Sequence, residues 1–187
     1  MAAGSSVTEQ VSTYTIDPVH SEIGFAARYM GFSKVRGRFT KFKGNVHVDP
    51  DQIGTLDAQI EIDAASITTH DETRDEHLRT NDFLAAKEHP QITFKTSGVR
   101  DANAHTFTLD GKLSIRGVAK RVEVEGTYLG EGKDPWGGIR VGFEGRTTIN
   151  RKDFGVNWNA ALEAGGFLIG DQVEIYLNVQ AVLSEKD

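Results

Sequence analysis

Strict alternation of apolar and polar residues dominates the chain. The clearest run is 173–179, where Val, Ile, Leu and Val alternate with Glu, Tyr and Asn, and the same period of two recurs at 56–62, 113–116 and 122–125. Successive side chains of a strand point to opposite sides, so such a strand has one face that avoids water and one that tolerates it. One-sided strands are typical of antiparallel sheets, and the pattern predicts an all-β domain of about eight strands.

One short segment, residues 74–86, interrupts this pattern with helical character. Residues 75–79 are predicted to form one or two helical turns, and residues 83–86 a second apolar turn. Pro90 ends any helix, because its ring removes a backbone donor and clashes with the preceding turn. Asp75 is interpreted as the helix cap, since a carboxylate there accepts otherwise unpaired N–H groups. A helix this short cannot cover a sheet, which leaves a sandwich or a barrel with a helical cap.

Turn signals divide the strands. Asp110-Gly111 is a two-residue hairpin signal, which predicts a turn between strands at 106–109 and 112–116. Phe39 and Phe42 differ in parity, and a bulge between them would bring both rings to one face of the sheet.

Composition excludes several classes of function. The net charge is −6 at pH 7 without a long Lys/Arg run, which argues against nucleic-acid binding. The chain has no cysteine, so disulfides, thiolate zinc sites and a cysteine nucleophile are excluded. No signal-peptide pattern opens the sequence, and no stretch approaches the ~20 apolar residues of a membrane-spanning helix. We expect a cytoplasmic protein with a flexible tail at 1–13, one domain at 14–183 and a tail at 184–187.

Candidate catalytic groups are sparse. His70, Asp75 and His77 lie close in sequence, but their spacing is not that of the helical zinc motif H-E-x-x-H, and we expect no metal. Ser21 follows His20 on a predicted strand, so the two side chains point to opposite faces and cannot form a nucleophile–base pair. No G-x-S-x-G elbow is present.

Arg151 and Asp153 are predicted to share a strand face two residues apart. The simpler interpretation is an ion pair at the surface or rim, worth about 0–1 kcal/mol if exposed. The functional interpretation is that Arg151 or Arg74 contacts the polar head of a ligand.

Five motifs occur in a fixed order along the chain. They are D-x-x-H-S at 17–21, V-x-G-x-F-x-x-F-x-G at 35–44, R-D-x-H-L with D-F at 74–83, L-x-I-x-G-V at 113–118, and R-x-D-F-G at 151–155. In this order they resemble the YceI-like family of lipid-binding proteins, over about residues 14–182. The resemblance implies a single antiparallel lipocalin-like β-barrel with a long apolar tunnel, whereas alternation alone leaves barrel and sandwich open.

The resemblance also implies a ligand and its site. The protein is expected to sequester or carry one long-chain isoprenoid lipid, of polyprenyl or quinone type, without catalysis and without a further cofactor. The residues expected to bind the lipid are Ile23, Phe25, Ala27, Tyr29, Phe39, Phe42, Leu78, Phe83, Phe94, Ile115, Phe143, Phe154 and Phe167. The polar residues expected at the tunnel mouth are His20, Arg74, His77 and Arg151.

Two alternatives to a lipid-binding protein stay open at this point. The first is an enzyme that acts on a hydrophobic substrate, with polar groups around His20, Arg74, Asp75 and His77. The second is a secreted-type stress or structural protein whose core is filled. For the lipid-binding protein itself, transient membrane contact and a homodimer are also open.

Overall fold

The computed structural model describes residues 10–184, which form eleven strands and one α-helix. The strands are β1 (Ser12–Ile16), β2 (Glu22–Tyr29), β3 (Ser33–Phe39), β4 (Phe42–Asp49), β5 (Gln52–Asp63), β6 (Ile67–Thr68), β7 (Gln91–Arg100), β8 (Thr106–Ile115), β9 (Val118–Lys133), β10 (Ile139–Asn150) and β11 (Ile169–Leu183). The helix is α1 (Glu72–Arg79), and short 3-10 turns cover Pro18–His20, Ala64–Ser66 and Arg151–Phe154.

The eleven strands fill eight antiparallel positions around the barrel, because three of these positions are each shared by two strands that lie end to end. β1 and β2 follow one another along β11, β3 and β4 lie beside them, and β5 and β6 come next. The walls from β7 to β11 then pair in chain order. β11 pairs with β10 on one side and with β1 and β2 on the other, which closes the sheet. The predicted eight-stranded antiparallel barrel is therefore confirmed.

The register turns the apolar face of each wall inward. On β11, Ile175 lies between Phe25 of β2 and Thr147 of β10, and all three side chains border the interior. The next residue, Glu174, points outward and pairs with Lys34 at 2.8 Å. A slip of one residue would exchange the two faces, so the apolar parity fixes the pairing.

The parity change predicted between Phe39 and Phe42 occurs at a break between β3 and β4, and not at a bulge within one strand. Phe39 pairs with Ile23 and Phe42 pairs with Ile62, so both rings turn toward the interior although they are three residues apart. The two residues between them, outside both strands, absorb the change.

The predicted hairpin at Asp110-Gly111 is wrong, because β8 continues through both residues. Arg100 donates to the Asp110 carboxylate through Nε at 2.6 Å and Nη2 at 3.1 Å, and Arg121 lies 3.3 Å away. These partners hold the carboxylate against the outer wall and lower the pKa of Asp110. A partner distant in sequence therefore overrides the local turn signal.

The turn lies instead at Arg116-Gly117. Both residues have positive φ, 52° and 72°, as a two-residue hairpin turn matched to the twist of its strands requires.

The domain edges differ slightly from the prediction. β1 begins at Ser12, and Ser184 N donates to Thr13 O at 2.8 Å, so these residues belong to the barrel. Gln10 N donates to Asp49 at 2.9 Å just before β1. Residues 1–9 and 185–187 of the predicted tails lie outside the described residues.

Candidate functional site: an apolar tunnel with a capped mouth

The barrel encloses a cavity of about 800 Å³, to which every strand contributes lining residues. Sites for small molecules span roughly 300–1,000 Å³, so this cavity is large enough to hold a ligand. It extends from Tyr29 and Trp158 at the end covered by α1, here called the mouth, to Phe107 and Phe143 near the opposite end. A cavity of this volume contradicts the filled-core alternative.

Three phenylalanine rings of the wall rest against glycines of neighbouring strands. A Cβ on each glycine would lie 2.2–2.4 Å from the nearest ring atom, a distance that no side chain tolerates. The pairs are Phe25 with Gly37, Phe94 with Gly111, and Phe107 with Gly126. Because glycine leaves this space free, each ring leans onto the sheet and the centre of the barrel stays open.

Aromatic rings close the end opposite the mouth. Phe143 lies 6.2 Å from Phe107 and 5.3 Å from Tyr128, measured between ring centroids, and we call these three residues the aromatic floor. Below it, Tyr14 is buried and its hydroxyl donates to Glu131 at 3.0 Å. Burial and this carboxylate raise the pKa of Tyr14 far above its usual range, so it stays a neutral donor.

The mouth is covered by α1, which begins earlier than predicted. Asp71 is its cap, since its Oδ1 accepts from Arg74 N at 3.0 Å, so the capping role predicted for Asp75 is wrong. Asp75 lies one turn further on, is only 3% exposed, and accepts from Thr69 N at 2.8 Å and Oγ1 at 2.6 Å. Burial acts to raise the pKa of Asp75, but the hydrogen bonds from Thr69 outweigh it and lower the pKa.

Arg74 and Asp75 share Thr69 as their partner. Arg74 Nε donates to Thr69 Oγ1 at 2.7 Å, and its Nη2 donates to Thr69 O at 3.0 Å. These bonds tie α1 to the strand end that precedes it and occupy much of the Arg74 guanidinium.

An aromatic cluster joins α1 to the loop on the other side of the mouth. The His77 ring meets Phe83 at 5.0 Å and Trp158 at 4.9 Å, both nearly edge-on, and Phe83 lies 5.4 Å from Trp158. We call His77, Phe83 and Trp158 the aromatic latch. His77 Nε2 also lies 2.8 Å from Asp82 Oδ2, which orients its ring.

Arg151 holds the other side of the mouth from within. It belongs to a 3-10 turn, so the predicted strand-face pair with Asp153 is wrong. Its buried guanidinium donates to the carbonyls of Val156 at 2.8 Å, Trp158 at 2.8 Å and Gly170 at 2.9 Å. Burial lowers its pKa, and the Asp171 carboxylate, 3.9 Å away, acts in the opposite direction without outweighing burial. Arg151 therefore shapes the mouth loop.

Most of the predicted site residues lie where the sequence placed them. The predicted apolar residues border the cavity, except Phe42 and Phe167, and the predicted polar residues Arg74, His77 and Arg151 lie at the mouth. Phe42 turns inward but packs within the wall opposite Ile62.

Phe167 and His20 are placed differently from the prediction. Phe167 is 65% exposed on the rim, because residues 159–168 form an irregular loop outside the barrel wall. His20 does not lie at the mouth. It occupies a 3-10 turn on the outer wall, where its Nδ1 lies 2.7 Å from Asp17.

The lining residues absent from the prediction are of two kinds. The first kind comprises aliphatic side chains on β5, β8, β9 and β11. Alternation identifies the apolar face of each strand, but it does not show whether that face borders a cavity or a filled core. Trp158 is the second kind, because it lies in a loop without any periodic signal. The deep aliphatic residues include Leu56, Ala58, Ile60, Leu109, Leu113, Val124, Ile175 and Leu177.

Two further observations concern chemistry and membranes. Within residues 10–184, no three His, Asp or Glu side chains come together closely enough to hold a metal ion. In the same part of the chain, α1 and the 3-10 turns are all too short to cross a bilayer. Ser21 Oγ is engaged with the backbone of Gln180, at 3.2 Å from its O and 3.0 Å from its N.

The fold and the cavity define a class: an eight-stranded lipocalin-like barrel with an internal apolar tunnel. The YceI-like domain matches residues 14–181, and the chain belongs to this family. A UPF0312 protein of Azotobacter vinelandii is 38% identical over 145 residues, which is 76% of each chain.

Solved structures agree with this family. BcnA of Burkholderia cenocepacia has a TM-score of 0.78 at 28% identity and covers 89% of this chain and 99% of its own. A polyisoprenoid-binding domain of Saccharophagus degradans shares the fold, with a TM-score of 0.67 at 13% identity over 94% of this chain and 100% of its own.

Proposed function

We propose that the protein binds one long-chain isoprenoid lipid, of polyprenyl or quinone type, in the barrel tunnel and stores or carries it. The observation that supports this most directly is an apolar cavity of about 800 Å³ whose charged lining residues gather mainly at one mouth. Such a site suits a molecule with a long apolar chain and a small polar head. The polyisoprenoid-binding domain of the S. degradans protein, which has the same fold, supports the choice of ligand.

The length of the tunnel favours an extended chain over a compact molecule. Lining residues on β11 run from Ile169 at the mouth to Val179 near the aromatic floor. At roughly 3.3 Å per residue this is about 33 Å of strand. A strand tilt of about 40° leaves about 25 Å along the barrel axis.

Energetics favour a carrier or store that releases its load. Burial of hydrocarbon is worth ~0.8 kcal/mol per CH₂ relative to water, so a forty-carbon chain would sum to roughly 30 kcal/mol. Measured affinities do not pass about 18–21 kcal/mol, so this sum overcounts. A bilayer solvates the same chain nearly as well as the tunnel does. Transfer between membrane and protein is therefore close to balance.

The enzyme alternative needs a polar group free to react inside the cavity. The three polar side chains predicted at the mouth that lie there are already engaged, since Thr69 binds Arg74, Asp82 binds His77, and backbone carbonyls bind Arg151. Deeper in the tunnel the lining is largely aliphatic and aromatic. These contacts favour binding over catalysis.

Native mass spectrometry of freshly purified protein tests the proposal. We expect a species heavier than the chain by the mass of one lipid, which organic extraction removes and added polyprenol restores. Ala27→Phe, which projects into the tunnel, should lower uptake of a fluorescent polyprenol, whereas Ala102→Phe on the exposed surface should not. Absence of lipid in repeated preparations together with absence of polyprenol uptake would refute the proposal.

A further inference from the structure

The hairpin between β2 and β3 carries an exposed apolar tip beside the tunnel mouth. Tyr29 and Met30 are each 41% exposed, and Phe32 is 84% exposed. Tyr29 also lines the cavity, so the apolar wall of the tunnel continues onto the outer surface at this point. Isolated exposed apolar residues need no explanation, but a contiguous group at the opening of a cavity marks an interaction site.

The turn at this tip displays a methionine where the backbone favours a polar residue. Phe32 N donates to Tyr29 O at 3.1 Å, and the two central residues, Met30 and Gly31, have φ of 53° and 73°. Hairpin turns of this kind strongly prefer Asn-Gly, because asparagine tolerates positive φ better than an aliphatic side chain. The apolar character of the tip is therefore not a requirement of the turn.

A second apolar element lies against the hairpin. Met30 N donates to Leu168 O at 2.7 Å, which fastens the mouth loop to the tip. Leu168 lines the cavity, and its neighbour Phe167 is exposed on the outside. We call Tyr29, Met30, Phe32 and Phe167 the apolar rim.

Positive charge flanks the hairpin side of the apolar rim. The hairpin segment 26–39 contains four cations and no acidic residue, in a chain of net charge −6. On the neighbouring strand, Glu174 binds Lys34 at 2.8 Å, and Arg28 and Arg36 also act on this carboxylate. Asp171, the other acidic residue of β11, pairs with Lys152 at 3.1 Å. The four cations of the hairpin therefore exceed the carboxylates available to them on β11, and this local positive charge complements an anionic surface.

We propose that the apolar rim docks the protein onto an anionic phospholipid bilayer, so that the lipid enters and leaves the tunnel directly from the membrane. This inference rests on the proposed function, because a tunnel that holds a membrane lipid must load from an apolar phase. Aromatic and aliphatic side chains insert at the boundary between head groups and acyl chains, while the flanking cations contact the head groups. Docking there places the mouth against the lipid.

Vesicle flotation with a matched control tests the docking surface. Asparagine suits the turn better than the native methionine. The double variant Met30→Asn, Phe32→Ser therefore removes the apolar side chains of the hairpin tip without changing the core. The control is Trp136→Ser, since Trp136 is 88% exposed on the loop between β9 and β10 at the opposite end. With vesicles of phosphatidylcholine and phosphatidylglycerol, the double variant should lose binding about tenfold, and Trp136→Ser should keep it. Pure phosphatidylcholine vesicles should bind the native protein more weakly.

Two readouts separate the failure of docking from the failure of lipid binding. Equilibrium binding of a fluorescent polyprenol added in solution should be the same in the native protein and the double variant, whereas its transfer from vesicles should slow about tenfold in the variant. Polyprenol binding without vesicle binding, or equal losses in the double variant and Trp136→Ser, would overturn the docking surface alone. Failure to bind polyprenol at all would overturn the proposed function. If the native protein does not bind vesicles but forms a dimer, and the double variant is a monomer, then the rim is a contact surface for a second copy of the chain.

Discussion

The two ends of the barrel are closed by different sets of interactions. The floor end is sealed by apolar contacts, with Phe107, Phe143 and Tyr128 packed above fully buried Val48 and Val141. The mouth end is closed by the three rings of the aromatic latch and by hydrogen bonds from side chains to loop backbone, above all those of Arg151. Apolar packing is close to continuous and costly to disrupt, whereas a few directional bonds can release a loop as a unit. From this comparison we expect the protein to open at the mouth.

The largest effect is expected from removal of the bond network at the mouth. Arg151→Met should lower the free energy of unfolding by about 3 kcal/mol, because it leaves several inward-facing carbonyls without donors. The control is Lys152→Met, since Lys152 is exposed and pairs with Asp171 at 3.1 Å on the surface. Urea unfolding measures both. Equal small losses in the two variants would show that the carbonyls find other partners and that Arg151 does not hold the mouth.

The next largest effect is expected at the floor, from a substitution that fills the space between a glycine and the ring packed against it. Gly126→Ala should push the Phe107 ring into the tunnel, with an overpacking cost of about 2 kcal/mol. Gly132→Ala on the same strand meets nothing within 4 Å and serves as the control. Lipid extracts should shift toward shorter chains in Gly126→Ala alone. An unchanged chain-length distribution would mean that the lipid does not reach the floor.

At low pH, protonation of Asp17 should weaken its ion pair with Arg140 on the outer surface of the floor end. Arg140 donates to Asp17 at 2.7 Å, and this bond, followed by that from His20, lowers the pKa of Asp17 to about 2. A carboxyl group with a lowered pKa in the folded state stabilises the fold above its unfolded pKa of about 3.9, and this contribution is lost as pH falls toward 2. Asp17→Asn should cost about 1–2 kcal/mol at pH 7. Thermal melts should show the two proteins converge between pH 4 and pH 2; a constant difference would refute this origin.

The smallest effect on stability is expected at the aromatic latch. His77→Ala removes two ring contacts and the partner of Asp82, at a cost of about 1 kcal/mol. Release of a fluorescent polyprenol should nevertheless quicken, and amide exchange in α1 should rise more than in β10. His105→Ala, an exposed histidine of the floor end, is the control. Loss of bound metal or of a turnover in His77→Ala would instead favour the enzyme alternative.

Period-two alternation predicted the barrel walls well, because inward-facing residues must be apolar wherever a strand closes a cavity. The shared orientation of Phe39 and Phe42 also followed from their parity, although the change occurs at a break between β3 and β4 and not at a bulge. Lipid contact at these residues is still a prediction. The same alternation describes a filled core equally well, so it could not show that the barrel is hollow.

Errors arose where distant partners decide the local structure. Asp110 and Gly111 form a turn signal on their own, but Arg100 and Phe94 from the neighbouring strand keep them in β8. Trp158 reaches the mouth because Arg151 binds its carbonyl, and a loop without periodicity gives no sequence signal for this. The shift of the cap from Asp75 to Asp71 is a displacement of about one turn, which local propensity does not resolve.

The closure of the sheet by β11 also has a consequence for biosynthesis. β11 follows the other ten strands along the chain, yet it supplies the partner of β10 on one side and of β1 and β2 on the other. Until it leaves the ribosome, the nascent sheet has two open edges, each a template for pairing with another chain. The ring therefore forms after the other strands are made, and its long-range pairing makes this a slow step. A chain that ends before residue 169 lacks only one of the eight strand positions, but without it the barrel cannot close.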